Sequence, residues 1–214
     1  MDISRRKKEL VEEPGEREKS IASVGMRLRL YRNERGMSLR VMASQLSVSA
    51  SFLSQLETGK SQASVATLYA ICDCLGISME ELFQSLRKSN TDDAKDVGSP
   101  SDEIVVRANE RTTVYLDSGV TWERLTTMSD KDVDFMRISY PVGGSSTSDD
   151  SFLRHSGREY HFVILGQLEI CLGFEKYEVG AGDSISFDSS IPHRLANVGE
   201  VPVVAITAVV GRYP

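Results

Sequence analysis

The sequence predicts an all-α bundle followed by an all-β barrel or sandwich. Three observations carry this. Apolar residues recur at helical spacing from Ile21 to Phe83. Beyond residue 103 the period changes to alternation, in short segments separated by Gly, Asp and Ser. Between the two lies Ser89–Asp102, SNTDDAKDVGSPSD, with Ala94 and Val97 as its apolar residues; it reads as part of a linker over residues 89–103. The all-α unit is accordingly placed at residues 21–88 and the all-β unit at 104–214.

A chain of 214 residues has room for one large or two small domains, and an apolar fraction of 40% excludes a disordered polymer. Cys72, Cys74 and Cys171 do not form an even disulfide framework. Cys72 and Cys74, two residues apart on a helix, face different ways and make a poor metal pair, so packing in a reducing compartment is expected. The N-terminus is charged, and the longest apolar run, Val201–Val210, is too short to span a bilayer. No signal peptide and a cytoplasmic location are therefore expected. Charge is divided unevenly. Residues 1–90 carry 14 Lys and Arg against 11 Asp and Glu, whereas residues 91–214 carry 11 against 20.

Residues 1–20 are almost wholly polar and read as a solvated tail, with a basic arm as the alternative. Ile21–Arg35 follows as a helix through Val24, Leu28 and Tyr31, its arginines (Arg27, Arg29, Arg32 and Arg35) read mostly as a solvated face. The central stretch is Met37–Lys60, MSLRVMASQLSVSASFLSQLETGK. Ser38 caps a short helix whose apolar side holds Val41, Met42 and Leu46, with small Ala43 where another helix must come close. Ser47–Val48–Ser49 makes a turn, and Ser49 caps a second helix with Phe52, Leu53 and Leu56 inward. Ser51, Ser54 and Gln55 are left outward. Ser64 then caps a helix bearing Leu68, Ile71, Cys72 and Leu75 that ends at Gly76, and Ser78 caps the last one.

A helix anchored on one face, with short polar side chains on the other, is what reading base edges in a major groove requires. The pattern resembles the helix-turn-helix of the XRE family over about Ile21–Phe83, with Ser47 standing where that family usually has a glycine of positive φ. The resemblance implies that Ser49, Ala50, Ser51, Ser54 and Gln55 meet bases or the adjoining backbone. Arg40 and Lys60, flanking the motif, suit phosphate contacts. The basic balance of the first half agrees with that role.

In the second half, strands are expected at Val120–Thr127, Val133–Tyr140, Glu159–Leu165, Gln167–Leu172 and Val203–Val209. All three histidines of the chain lie here: His155, His161 and His193. On one strand Glu159, His161, Val163 and Leu165 would share a face. Two imidazoles and a carboxylate converging inside a barrel would suit one divalent metal, Zn, Fe or Mn. The alternative is a metal-free polar pocket. Trp122 and the loop Gly143–Asp150 are candidates for its mouth.

RHSGREYHFVILG and GDSISFDSSIPHRLAN are similar to the two motifs of the cupin family, over about Ile104–Tyr213. The matching positions are His155, Glu159 and Gly166, then Gly182, Asp183, Pro192, His193 and Asn197. A metal-binding cupin normally has a further histidine two residues before His155, and here that residue is Leu153. The resemblance implies an effector pocket at His155, Glu159, His193 and Asn197, with His155, Glu159 and His193 as the metal set; strand geometry adds His161 to the pocket, which the family motif does not require.

The two resemblances together imply a transcriptional regulator rather than an enzyme. Its partners would be an operator in double-stranded DNA, a small effector in the barrel and a second copy of the chain, as a dimer or higher homo-oligomer, with no membrane. The alternative is a mononuclear iron oxygenase resembling hydroxypropylphosphonate epoxidase, which combines a similar pair of domains. A cupin-type isomerase would explain the barrel alone.

Overall fold

The computed structural model describes residues 14–90, 104–127, 130, 132–147 and 151–212. Residues 1–13 of the expected tail and residues 91–103 of the expected linker lie outside these. Among the described residues, five helices precede nine strands: α1 (Pro14–Glu34), α2 (Leu39–Leu46), α3 (Ala50–Glu57), α4 (Val65–Leu75) and α5 (Met79–Asn90). The strands are β1 (Thr113–Tyr115), β2 (Thr121–Arg124), β3 (Val133–Tyr140), β4 (Arg158–Leu165), β5 (Gln167–Leu172), β6 (Glu175–Gly180), β7 (Ser184–Asp188), β8 (His193–Asn197) and β9 (Val203–Val210).

Helix α1 starts at Pro14, inside the segment read as a tail, so that reading is corrected for its last seven residues. Proline is tolerated in the first turn because its missing N–H would have no helical partner there. Two contacts tie the exposed start of the helix to the other half of the chain. Ser20 Oγ donates to Thr113 O of β1 at 2.6 Å, and the Arg17 guanidinium lies 5.7 Å from the centre of the Tyr115 ring. Neither partner was visible to local sequence periodicity.

The helical core is built by Leu28, Met42, Leu53, Leu56, Leu68, Ile71, Leu75 and Leu82, all buried. The expected caps are present: Ser38, Ser49 and Ser64 each accept from the backbone N–H three residues on. At Ser78 the bonding is reciprocal, Glu81 N donating to Ser78 Oγ and Ser78 N to Glu81 Oε2, a capping box. Val41, read as part of the apolar side of α2, is instead 50% exposed. Its neighbours Met42 and Ala43 provide the buried contact.

The reading of the α1 arginines as solvated fails at Arg32. This side chain is buried and grips Glu57, the last residue of α3, with two parallel bonds. Its Nη1 donates to Met37 O at 2.7 Å. A fork meeting a carboxylate in this way fixes both separation and rotation between helices. Close packing does the rest. A Cβ on Gly25 of α1 would lie 2.1 Å from Leu56 O, so α1 reaches the end of α3 only because residue 25 has no side chain.

The strands form a six-stranded antiparallel sheet, order β1-β2-β3-β9-β4-β7, facing a three-stranded one, β6-β5-β8. β4 alternates as expected through Glu159, His161 and Val163, all buried, and then breaks. Its pairing with β9 shifts register between Val163 and Leu165, leaving Leu165 exposed instead of inward. The turn to β5 is Gly166 (φ 79°), where a Cβ would meet Pro202 O at 2.6 Å. Only glycine fits there.

Glu57→Ala would leave the Arg32 guanidinium buried without its partner. We expect a loss of about 3–5 kcal/mol in helical-domain stability, read from urea unfolding by circular dichroism. A loss under about 1 kcal/mol would mean that the pair behaves as a surface pair instead.

Candidate functional site

Helices α2 and α3 form the expected helix-turn-helix. Ser47, at the turn, adopts the left-handed conformation at φ 56° and ψ 35°, where glycine would be free of strain. Its successor Val48 donates to Ala43 O at 3.0 Å, so the end of α2 is closed as a glycine would close it. The serine therefore leaves the turn geometry intact at a local conformational cost. Ser49 Oγ is engaged as the cap of α3. Ser51, Ser54 and Gln55 are exposed along one side of α3, and Ala50 is half-buried beside them. Arg40 and Lys60 are exposed at either end of the motif. All seven residues singled out from the sequence thus lie on or beside the outer side of the helix pair.

The second site is centred on the buried Glu159 carboxylate. Its Oε2 accepts from His161 Nε2 at 2.8 Å, and His161 Nδ1 lies 2.8 Å from Thr207 Oγ1. His161 thus holds the far oxygen of Glu159 in place. The near oxygen, Oε1, faces His155 Nε2 at 2.8 Å and His193 Nε2 at 3.1 Å. Neither ring nitrogen satisfies hydrogen-bond geometry there. Behind the rings, His155 Nδ1 is 2.9 Å from Ser156 O, and His193 Nδ1 is 2.9 Å from Ile191 O. A carbonyl only accepts, so each Nδ1 carries a proton, and both Nε2 atoms are aimed at the same carboxylate oxygen. Such an arrangement requires positive charge between them, as a bound cation or as added protons.

The electrostatics agree. Burial pushes the Glu159 carboxyl upward, but the three imidazoles outweigh it and hold it well below the usual range. Burial pulls His193 down, and Glu159 together with Ile191 O more than reverses this, so its pKa is raised. One donor atom from each of His155, Glu159 and His193 lies within 4.8 Å of the others. Two imidazoles and a carboxylate with their second nitrogens fixed by carbonyls fit a divalent ion and leave further coordination positions open. Leu153, where a third histidine would stand, pairs its backbone with His193 and turns its side chain into the cavity wall.

Beside this centre is a small cavity lined by Glu159, His161, Leu153, Met136, Ile138, Tyr140 and Trp122, among others. Its free space holds little more than a water molecule. Trp122 is both core and wall, as a buried indole. Of the loop Gly143–Asp150, Ser146 lines the cavity, while residues 148–150 lie outside the described ones. Asn197 is not among the lining residues: its amide donates to Tyr140 O and Val201 O and accepts from Gly199 N. It fastens the turn after β8. Gly182 and Asp183 likewise make the β6–β7 turn, Asp183 Oδ2 accepting from Gly180 N at 3.0 Å.

Sequence reasoning missed two further walls, Val65 and Tyr69, which come from helix α4. The Tyr69 ring lies 5.1 Å from the His155 ring and 5.2 Å from Trp122. Arg212 places its guanidinium 3.7 Å from the centre of the Tyr69 ring and binds Asp73 Oδ1 at 3.0 Å. Nearby, Asp134 is pushed up to about 6 by burial, against the pull of Arg212, His155 and Arg124. A tyrosine within an apolar helical pattern reads as core, and no local signal marks its second partner.

Comparison with known proteins fits these two sites. Residues 23–85 match the family of helix-turn-helix domains, and residues 136–209 match the cupin domain. The chain joins a helix-turn-helix domain to a cupin domain. This helix-turn-helix–cupin chain is 24% identical over 173 residues to the HTH-type transcriptional regulator PuuR of Escherichia coli, covering 81% of this chain and 86% of that protein. It is 26% identical over 178 residues to the regulator SutR of the same organism, covering 82% and 88%. A solved HTH_3-family transcriptional regulator from Vibrio cholerae superposes with a TM-score of 0.63 at 22% identity, over 92% of this chain and 98% of that one. No helix is long and apolar enough to cross a membrane among the described residues.

If His161 orients the carboxylate, His161→Ala should weaken zinc binding by about 10–100-fold, measured by competition with a chromophoric chelator. Unchanged affinity would show that Glu159 is held without it.

Proposed function

We propose that the protein is a cytoplasmic, non-enzymatic transcriptional regulator that binds an operator as a dimer and whose cupin barrel senses a small molecule. The observation that carries the reading is α3: capped, anchored by Leu53, Leu56 and the Arg32–Glu57 pair, and polar and exposed on its other side. A barrel enzyme has no need of such a helix. In this reading Ser49, Ala50, Ser51, Ser54 and Gln55 read base edges or the adjoining backbone, and Arg40 and Lys60 hold phosphates. The regulators PuuR and SutR, similar over most of both chains, support it. Glu159 and His161 would line the effector site, with His155 and His193, the other members of the metal set, beside it. The same set is used by non-haem iron oxygenases, which keeps an iron enzyme as the rival reading.

One such helix reads only a few base pairs, so two copies are needed for a specific site. The outer face of the six-stranded sheet offers the means. Phe135, Ala208 and Tyr160 stand in register across β3, β9 and β4, with Ile206 and Phe162 one row along. Phe135, Tyr160, Phe162 and Ile164 are each between 37% and 50% exposed. A contiguous apolar sheet face of this kind marks an interaction surface, and a second copy of the chain is the partner that the DNA geometry requires.

Gln55→Ala should lower affinity for a selected operator by roughly tenfold or more while leaving random-duplex binding nearly unchanged. An equal loss on both would refute base reading. Separately, Phe162→Asp should give a monomer in sedimentation and bring operator affinity toward the random-DNA level; a variant that remains dimeric would place the interface elsewhere.

A further inference from the structure

Helix α4 belongs to two cores. Leu68, Ile71 and Leu75 are buried in the helical domain, while Val65 and Tyr69 wall the barrel cavity. Its start is bonded to the barrel as well: Ala66 N donates to Ser146 O at 3.2 Å, and Asp117 N donates to Ala63 O at 2.9 Å, just before the helix. Asp73, one turn beyond Tyr69, holds Arg212. The next helix adds a buried ion pair from Glu80 to Arg124 of β2. Val65, Ala66, Tyr69 and Asp73 follow helical spacing, so one face of α4 is seated on the barrel and the opposite face on the helices that carry α3.

We infer that Tyr69 links cation occupancy of the His155–Glu159–His193 site to the seat of the helix-turn-helix. The inference rests on the proposed regulator reading and deepens it. The His155 ring is held by the Ser156 carbonyl on one side and covered by the Tyr69 ring on another. A shared cation bound at the Nε2 atoms of His155 and His193 sets the aim of the His155 ring, and the face of Tyr69 packed on it must follow. The cavity has no slack to absorb the movement, since its free space holds little more than a water. Tyr69 is in turn fixed between Trp122 and Arg212. The remaining freedom is for α4 to shift as a unit, carrying with it the helices packed on its other side. An organic ligand larger than a water meets the same constraint, because the cavity that Val65 and Tyr69 help to wall has no free room for it.

Thermodynamic linkage makes this testable with zinc alone as the probe. If the two sites are coupled, a saturating duplex, selected by the full chain from a random pool, changes the zinc affinity by roughly fivefold or more, and zinc changes the DNA affinity by the same factor. Trp122, the single tryptophan of the chain, packs on Tyr69 and reports the change by fluorescence. In Tyr69→Ala the ratio of zinc affinities with and without DNA should fall to about one. In Tyr69→Phe, which keeps the ring on His155, it should stay at the wild-type value. A Tyr69→Ala protein that keeps the wild-type ratio overturns the inference and leaves the sensor reading standing. A ratio of one in the wild-type chain, or no zinc bound, overturns the inference, and that absence of linkage tells equally against a cation-sensing barrel. Loss of the ratio in Tyr69→Phe as well would overturn the role of ring packing.

Discussion

The Glu159 carboxylate, sunk between three imidazoles, sets the terms for the barrel around it. One of its oxygens is satisfied by His161, itself tied to Thr207 on the neighbouring strand. The other faces the Nε2 atoms of His155 and His193 and draws positive charge. Carboxylate, rings and the carbonyls behind the rings sit on β4, β8 and the turns leading into them, so the sheet register and the charge requirement are one constraint. A shift of one residue in β4 would turn Glu159 and His161 to solvent and bring Tyr160 and Phe162 inside.

The helical half is governed by a different economy of contacts. Its recognition helix is short, eight residues, too short to be stable by itself in water. Anchoring comes from a glycine contact, two leucines and one bidentate ion pair to α1. A buried pair of this kind favours a unique arrangement over a merely compact one, because misplacement leaves a charge without its partner. The outer side of α3 can then remain polar and uncommitted. The barrel and the helices meet at α1, α5 and above all α4, whose two faces are each required by a different core.

Much of this was legible in advance. Caps at Ser38, Ser49, Ser64 and Ser78, the stop at Gly76 and the limits of β3, β5 and β9 follow from local chemistry: a hydroxyl at a helix start, a glycine at its end, alternation along a strand. The approach of His155, Glu159 and His193 was legible from the resemblance of two segments to the cupin motifs. What was not legible involves partners far apart in the chain. Arg32 looked like its solvated neighbours, because only the folded position of Glu57 distinguishes it. Leu165 was expected inward, because a bulge between β4 and β9 is a property of two strands. Asn197 was placed in the pocket by its match to the second cupin motif, yet its amide is consumed by the backbone of the following turn. The first turns of α1 looked like tail, since their stabilising contacts are with β1.

The sequence by itself determined the division into a helical and a β half, the helix-turn-helix with its outward Ser51, Ser54 and Gln55, and the set of imidazoles and carboxylate inside the barrel. The first two depend on periodicity and on side-chain chemistry that acts within a few residues, and the third on the resemblance of two segments to the cupin motifs. Only the tertiary structure decided that Tyr69 covers His155, that Arg212 and Asp73 hold it there, and that the two domains share a helix. Those contacts join residues up to 139 positions apart, and their energy comes from packing and charge pairing that exist only once both cores have formed.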